Sequence, residues 1–148
     1  MNATIPLVDL AVVLATDGEG RFLVDFNDNW SKFTFPMSKQ RDVPAKTPNG
    51  AASRETALVA ACRAAAEVLG RPVASSSLAP LALEVPPYKQ SGRDGVWKRY
   101  ACRLFLLKVT AAPRPLAGHI ALWLTRAELE SLEPISPTVR AILEVLPR

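Results

Sequence analysis

The chain has 148 residues, of which 49% are hydrophobic and 22% charged, so it is long and apolar enough to form one domain with its own core. A net charge of +4 is too small an excess to identify a nucleic-acid-binding protein by itself. No apolar run approaches the roughly 20 residues that span a bilayer, and no secretory signal pattern precedes the first apolar run. We therefore expect a single domain over residues 1–148, in the cytoplasm and without membrane contact.

Cysteine and histidine are scarce in this sequence. Cys62 and Cys102 are the only cysteines, and His119 is the only histidine. These residues cannot supply the four ligands of a usual structural zinc site. We expect both cysteines to be reduced and to act as small hydrophobic residues. His119 precedes an apolar run, and both a structural and a catalytic role are open for it.

The N-terminal third has the pattern of a β-hairpin followed by a short strand. The β-branched run LVDLAVVLAT, the turn signal TDGEG and the alternating run RFLVDF predict the hairpin. NWSKFTFP predicts a strand that Pro36 ends. Residues 37–52 are polar, contain proline and glycine and show no periodicity. They predict a long loop of the kind that is either functional or disordered.

Residues 54–70, RETALVAACRAAAEVLG, predict an amphipathic helix. Ser53 is a candidate N-cap, and Gly70 with Pro72 after it is a typical helix end. Apolar residues recur at helical spacing and predict the buried face. They are Leu58, Ala61, Cys62, Ala65 and Leu69.

The second half alternates strands with turns and ends in helices. SLAPLALEV (77–85), VWKRYACRLFLLKV (96–109) and HIALWL (119–124) predict three strands, and the second is apolar enough on both faces to be central. Thr125 and Glu128 match a capping box. Ser136 followed by Pro137 is typical of the start of a last helix. The whole pattern predicts one α+β domain.

Several of these pieces resemble the Nudix family of nucleoside-diphosphate-X pyrophosphohydrolases, whose helix carries the box G-x5-E-x7-R-E-U-x-E-E-x-G-U, with U apolar. Glu55, seven residues, Arg63, Glu67 and Gly70 keep the spacing of that box. FPMSK (35–39) resembles the strand end before it, and the tryptophan strand with two following helices resembles the family's C-terminal part. The resemblance implies a mixed β-sheet in an α/β/α sandwich, with one box helix and two C-terminal helices.

The same resemblance implies Mg²⁺ or Mn²⁺ held by three box carboxylates, and most of these are missing here. The three positions fall on Ala64, Glu67 and Val68, so only Glu67 is retained. Glu55 and Arg63 correspond to the family's structural ion pair. The sequence also departs from the family at the turn glycines, at the apolar position after Gly70 and in an enlarged loop. We interpret it as a degenerate Nudix box.

Residues outside the box are candidates for the rest of a site. Asp42, Glu84 and Asp94 are acids in predicted loops that could replace the missing metal ligands. Lys39 and Arg41 could bind phosphate, or be simply solvated. Trp30 and Phe33 could stack on a base or sugar, although packing in the hairpin explains them equally well.

Three functions are consistent with these patterns. The first is a divergent Nudix-fold protein with little or no metal-dependent hydrolysis, which binds a nucleoside-diphosphate-type ligand or a partner. The second is an active pyrophosphohydrolase whose metal ligands come partly from loops. The third is binding of RNA or an anionic partner through residues 88–100, where four basic residues accompany three aromatic ones. The oligomeric state is not readable from the sequence.

Overall fold

A computed structural model describes residues 6–28, 31–85, 88–91 and 97–147. Their strands are β1 (Leu7–Thr16), β2 (Phe22–Asn27), β3 (Lys32–Thr34), β4 (Met37–Lys39), β5 (Asp42–Val43), β6 (Ser53–Arg54), β7 (Ala79–Leu81), β8 (Tyr88–Ser91), β9 (Trp97–Lys108) and β10 (His119–Leu124). Their helices are α1 (Ala57–Leu69), α2 (Arg126–Ser131) and α3 (Pro137–Val145), with a 3-10 turn at Ser75–Ser77. Within these ranges, no helix is long and apolar enough to cross a membrane.

The sheet is mixed, and its centre is a parallel pair. Strands β1 and β9 run parallel over a ten-residue register, from Leu7 opposite Arg99 to Thr16 opposite Lys108. The main strand order is β10-β2-β1-β9-β7, with β3 on β2, β4 on β1 and β8 on β9. Strands β5 and β6 pair separately. The predicted central position of the 96–109 strand is confirmed.

Alternation along the strands divides the core into two halves. Ala11, Val13 and Ala15 of β1 pack with α1 in one buried cluster. Leu10, Val12 and Leu14, on the other side of the same strand, pack with the residues of α2 and α3. The sheet therefore lies between one helix and two helices, which confirms the predicted α+β fold and its α/β/α layers.

The start of α1 differs from the prediction. Ser53 is not the N-cap, because Ser53 and Arg54 pair with β5 as a short strand. Thr56 caps the helix instead, since its side chain accepts a hydrogen bond from the Val59 N–H. The preceding segment is also less irregular than expected. It forms β4, beside β1, and β5 before it reaches the helix.

Other elements agree with the sequence more closely. The hairpin of β1 and β2, the capping box at Thr125 and the N-cap at Ser136 are confirmed. The strand predicted over residues 77–85 is limited to Ala79–Leu81. Cys62 and Cys102 are not joined in a disulfide, and both are partly buried.

Candidate functional site

Helix α1 ends where a loop docks on it. Gly70 has a left-handed φ of 73°, and a Cβ built on it would lie 1.6 Å from the carbonyl oxygen of Arg114. Only glycine satisfies both conditions. The loop between β9 and β10 also donates from the Arg114 N–H to the Leu69 carbonyl and from the Leu116 N–H to the Glu67 carbonyl. This contact brings the chain to His119 beside the last turn of α1.

Arg63 and Glu55 form an ion pair that joins α1 to the segment before it. The Arg63 Nη2 also donates to the Ser38 Oγ at 2.8 Å and to the Lys39 carbonyl at 2.9 Å. The other Glu55 oxygen accepts from the Arg41 N–H at 2.7 Å. We call Glu55, Arg63 and their partners the clamp. Both charged side chains are mostly buried, with 20% of Arg63 and 12% of Glu55 exposed.

The clamp keeps Glu55 ionised. Hydrogen bonding from Arg63, helped by the Arg41 backbone, holds the pKa of the Glu55 carboxyl below its ordinary value. All of these bonds are internal to the protein. The arrangement therefore fixes the 38–55 segment on the helix, which is what the resemblance implies for this pair.

The carboxylate set implied by the resemblance is not assembled on α1. Ala64 is 2% exposed and Val68 is 1% exposed, and Val68 belongs to the buried cluster between α1 and the sheet. Neither side chain offers the oxygen that Mg²⁺ or Mn²⁺ prefers. Glu67 alone remains of the three positions. Among the described residues no group of three or more His, Cys, Asp or Glu is placed to hold a metal ion. The residues present do not fit the family's metal site.

A second charged group lies one turn beyond the clamp. Asp25 and His119 are on neighbouring strands and on the face of the sheet that α1 covers. The Asp25 Oδ2 is 2.6 Å from the His119 Nδ1, and the Asp25 Oδ1 accepts from the Ile120 N–H at 3.1 Å. The His119 Nε2 is 3.7 Å from the Glu67 Oε2. We call these three side chains the His119 cluster.

The His119 cluster runs from the interior to the surface. Asp25 is 3% exposed, His119 17% and Glu67 38%. Burial raises the pKa of the Asp25 carboxyl above its ordinary value, although the hydrogen bond with His119 opposes this effect. An ionised carboxylate only accepts hydrogen bonds, so a neutral His119 paired with it carries its proton on Nδ1. Its Nε2 lone pair is then directed away from Asp25 and lies on the side of Glu67.

Sequence reasoning did not identify Asp25. The signal was present in RFLVDF, because the alternation that buries Leu23 also buries Asp25. A carboxylate at a buried position of a strand is uncommon without a partner. The chain has a single histidine, which was therefore the first partner to consider.

The other predicted site residues are scattered. Lys39 and Arg41 are exposed, and their backbones belong to the clamp. Asp42 is exposed in β5 opposite Arg54, and Glu84 is exposed after β7. Phe33 packs with the cluster beneath α2 and α3, on the face of the sheet opposite Glu67, and stacks edge-on against Phe26. Two more predicted residues, Trp30 and Asp94, lie outside the described residues.

No protein-family model matches the sequence, and no curated protein is significantly similar to it. The structure, however, is similar to solved Nudix structures. A MutT protein from Methanosarcina mazei Go1 is 17% identical over 97% of this chain and 94% of its own, with a TM-score of 0.66. An Ap4A hydrolase from C. elegans is 15% identical over 93% of each chain, with a TM-score of 0.63.

A MutT Nudix hydrolase from Burkholderia pseudomallei is 16% identical over 95% of this chain and 98% of its own, with a TM-score of 0.59. Each of these three alignments covers at least 93% of this chain and of the solved structure, so the similarity concerns the complete fold. The chain has the fold of the Nudix hydrolases. This confirms the fold that the spacing of Glu55, Arg63, Glu67 and Gly70 predicted.

Proposed function

We propose that this chain is a divergent Nudix-fold protein that binds a nucleoside-diphosphate-type ligand and has little or no magnesium- or manganese-dependent hydrolysis. The burial of Ala64 and Val68 carries the proposal, because two of three box positions are apolar and enclosed. One carboxylate, Glu67, holds Mg²⁺ poorly on its own. The cytoplasm is the compartment in which we place this function.

The ligand class is supported by the surroundings of the clamp and by the fold. Lys39 and Arg41 are exposed cations on the segment that the clamp fixes to α1, and such cations suit phosphate oxygens. One protein of the same fold is named as a hydrolase of Ap4A, a dinucleoside polyphosphate. A diphosphate-containing nucleotide is therefore the ligand class to test first.

The test separates binding from turnover. Calorimetric titrations with ADP-ribose, NADH and a dinucleoside polyphosphate are expected to show binding that K39A with R41A weakens about tenfold, a loss typical of two partly exposed charge contacts. Mg²⁺- or Mn²⁺-dependent turnover of the same compounds and of nucleoside triphosphates is expected to stay near background. Exposed Glu144 on α3 provides the matched control, E144Q.

Two results would overturn the proposal in different ways. Robust turnover that E67Q abolishes and E144Q leaves intact would establish the alternative, an active pyrophosphohydrolase with ligands from Asp42, Glu84 or Asp94 added to Glu67. Absence of binding to every nucleotide would remove the ligand class and favour a protein or RNA partner.

The RNA alternative has one observation in its favour. Trp97 is 58% exposed at the start of β9, beside Lys98 and Arg99. An exposed aromatic side chain next to cations is typical of a single-strand stacking surface. Binding of an RNA oligonucleotide that falls steeply with salt and is weakened by W97A would support this function instead.

A further inference from the structure

Asp25 contacts the Nδ1 of His119 and so fixes the orientation of the ring. The other ring nitrogen, Nε2, is not in contact with Asp25 and has the geometry of a metal ligand. A metal-binding histidine commonly donates its other ring N–H to a carboxylate, which fixes the ring and its tautomer. Asp25 provides this arrangement from the interior, with the Asp25 Oδ2 2.6 Å from the His119 Nδ1. The backbone N–H of Ile120 holds the same carboxylate in place. The His119 Nε2 therefore has a defined direction, toward the side where Glu67 lies.

The distance from the His119 Nε2 to the Glu67 Oε2 is informative. At 3.7 Å the two atoms are too far apart for a hydrogen bond. Zinc lies about 2.0–2.1 Å from an imidazole nitrogen and about 2.0–2.2 Å from a carboxylate oxygen. In a tetrahedral site these two ligand atoms are therefore about 3.4 Å apart. Neighbouring octahedral ligands of Mg²⁺ at about 2.1 Å stand only about 3.0 Å apart. Glu67 is 38% exposed, so its side chain can rotate to bring its carboxylate and the His119 Nε2 to one metal ion, and the imidazole ligand sets the metal preference.

We propose that the His119 Nε2 and the Glu67 carboxylate form a binding site for a divalent transition metal such as Zn²⁺, with Asp25 as the positioning residue. Imidazole suits Zn²⁺ and its transition-metal neighbours, whereas Mg²⁺ prefers oxygen ligands alone. The site differs from the family's carboxylate set, because a sheet residue supplies one ligand and α1 supplies only one. The cation preference thus changes from hard to borderline metals.

Two protein ligands leave the remaining coordination positions open. Phosphate oxygens of a bound diphosphate are suitable to fill them, which would make metal and ligand bind cooperatively. This last step rests on the proposed function. The metal site itself does not, and the two are tested separately.

The single histidine gives the experiment a specific signal. Long-range proton–nitrogen NMR spectra of the full chain, without a purification tag, report the two nitrogens of His119 alone. Zn²⁺ is expected to shift the Nε2 resonance while Nδ1 keeps its proton, and Mg²⁺ at the same concentration is expected to leave both unchanged. Zinc that binds at Cys62 or Cys102 does not shift the His119 resonances, so the measurement reports only zinc bound at His119.

The variants define the ligands. E67Q is expected to weaken zinc binding at His119 at least tenfold, and D25N is expected to weaken it 10- to 100-fold with a change in the tautomer ratio. E133Q and E144Q remove exposed acids outside the cluster and are expected to bind zinc as the wild type does. Because D25N removes a buried carboxylate, its fold is checked by thermal melting. E67Q, at a partly exposed position, keeps the test decisive if D25N does not fold.

Failure of the metal site and failure of the proposed function give different results. An Nε2 resonance that millimolar Zn²⁺ does not shift, or a shift that E67Q leaves unchanged, overturns the metal site. If Zn²⁺ shifts Nε2 but ADP does not tighten zinc binding severalfold, the metal site stands and the joint binding of metal and diphosphate is overturned.

Discussion

The clamp and the His119 cluster are one helical turn apart on α1, and they use charge in opposite ways. In the clamp, the two Arg63 Nη atoms donate to Glu55, Ser38 and Lys39, while the buried Nε has no hydrogen-bond partner among the described residues. Glu55 accepts from Arg63 and Arg41, so the charges are paired within the protein. In the His119 cluster, Asp25 is fully buried while Glu67 remains partly exposed, with the His119 ring between them. The first arrangement holds a segment in place. The second presents an oriented nitrogen and a carboxylate at the surface.

The pKa shifts show the same difference. Hydrogen bonds in the clamp lower the pKa of Glu55, whereas burial in the cluster raises the pKa of Asp25. A carboxyl with a lowered pKa stabilises the folded protein as an anion. A carboxyl with a raised pKa is less stable as an anion in the folded protein than in water, because burial removes its hydration.

The largest effect is expected from restoring a box carboxylate next to Glu67 on α1. V68E places an ionised side chain at a position only 1% exposed in the cluster that α1 forms with the sheet. We expect the free energy of unfolding to fall by about 3 kcal/mol or more, measured by urea unfolding.

The same helix provides a matched control for V68E. Val59 is 51% exposed and lies three residues after the N-cap Thr56. V59E is expected to leave stability unchanged or raise it slightly, because an acid in the first turn is favourable. Equal stability of V68E and the wild type would show that position 68 opens to the cleft, and would weaken the proposed loss of the metal site.

A smaller loss is expected from opening the clamp. R63M keeps the length of the side chain but removes the Arg63 donor from the Lys39 carbonyl and from the mostly buried Glu55 carboxylate, which keeps only the Arg41 N–H. We expect a loss of about 2 kcal/mol in the free energy of unfolding, because these bonds involve a charged group. Zinc binding at His119 is expected to persist, since Arg63 does not contact the cluster in any bond described above.

An exposed ion pair gives the comparison for R63M. Arg54 bonds Asp9 at 3.1 Å with 48% and 35% of the two side chains exposed. R54M is therefore expected to cost less than about 1 kcal/mol. Similar losses for R63M and R54M would mean that the clamp is no stronger than a surface ion pair.

The smallest expected effect is a pH dependence that comes from Glu55. Its pKa is lowered by folding, so the ionised carboxyl stabilises the protein above the ordinary value of 4.5, and this contribution is lost as the pH falls through the lowered pKa. Urea unfolding of the wild type and E55Q at pH 7 and at stepwise lower pH should show a stability difference that shrinks in acid. A difference that grows in acid would contradict the lowered pKa.

The sequence predicted most of the fold because its signals are local. Thr125 with Glu128, Ser136 with Pro137 and Gly70 each act within one turn, and all three function as predicted. Ser53 was the wrong N-cap because Ser53 and Arg54 pair with β5, a non-local contact that competes with helix capping. Thr56 was an equally suitable capping residue by type.

The site was less predictable because it depends on elements distant in sequence. Asp25, Glu67 and His119 come from β2, α1 and β10 and meet only in the fold. The spacing of the box identified Glu67 but contains no information about a partner on the sheet. Likewise, the absence of carboxylates at Ala64 and Val68 was visible in the sequence, whereas their burial required the structure.

The parallel pairing of β1 with β9 has a consequence for how the molecule folds. Its paired residues, such as Leu7 and Arg99, are about ninety positions apart, yet they form the centre of the sheet. Contacts at such separation are slow to form, because a long segment must be ordered before they contribute stability. The hairpin of β1 and β2 can therefore form early, with Asp25 already on it. Its carboxylate is 94 positions from His119 in sequence, so we expect the His119 cluster to form later than the hairpin.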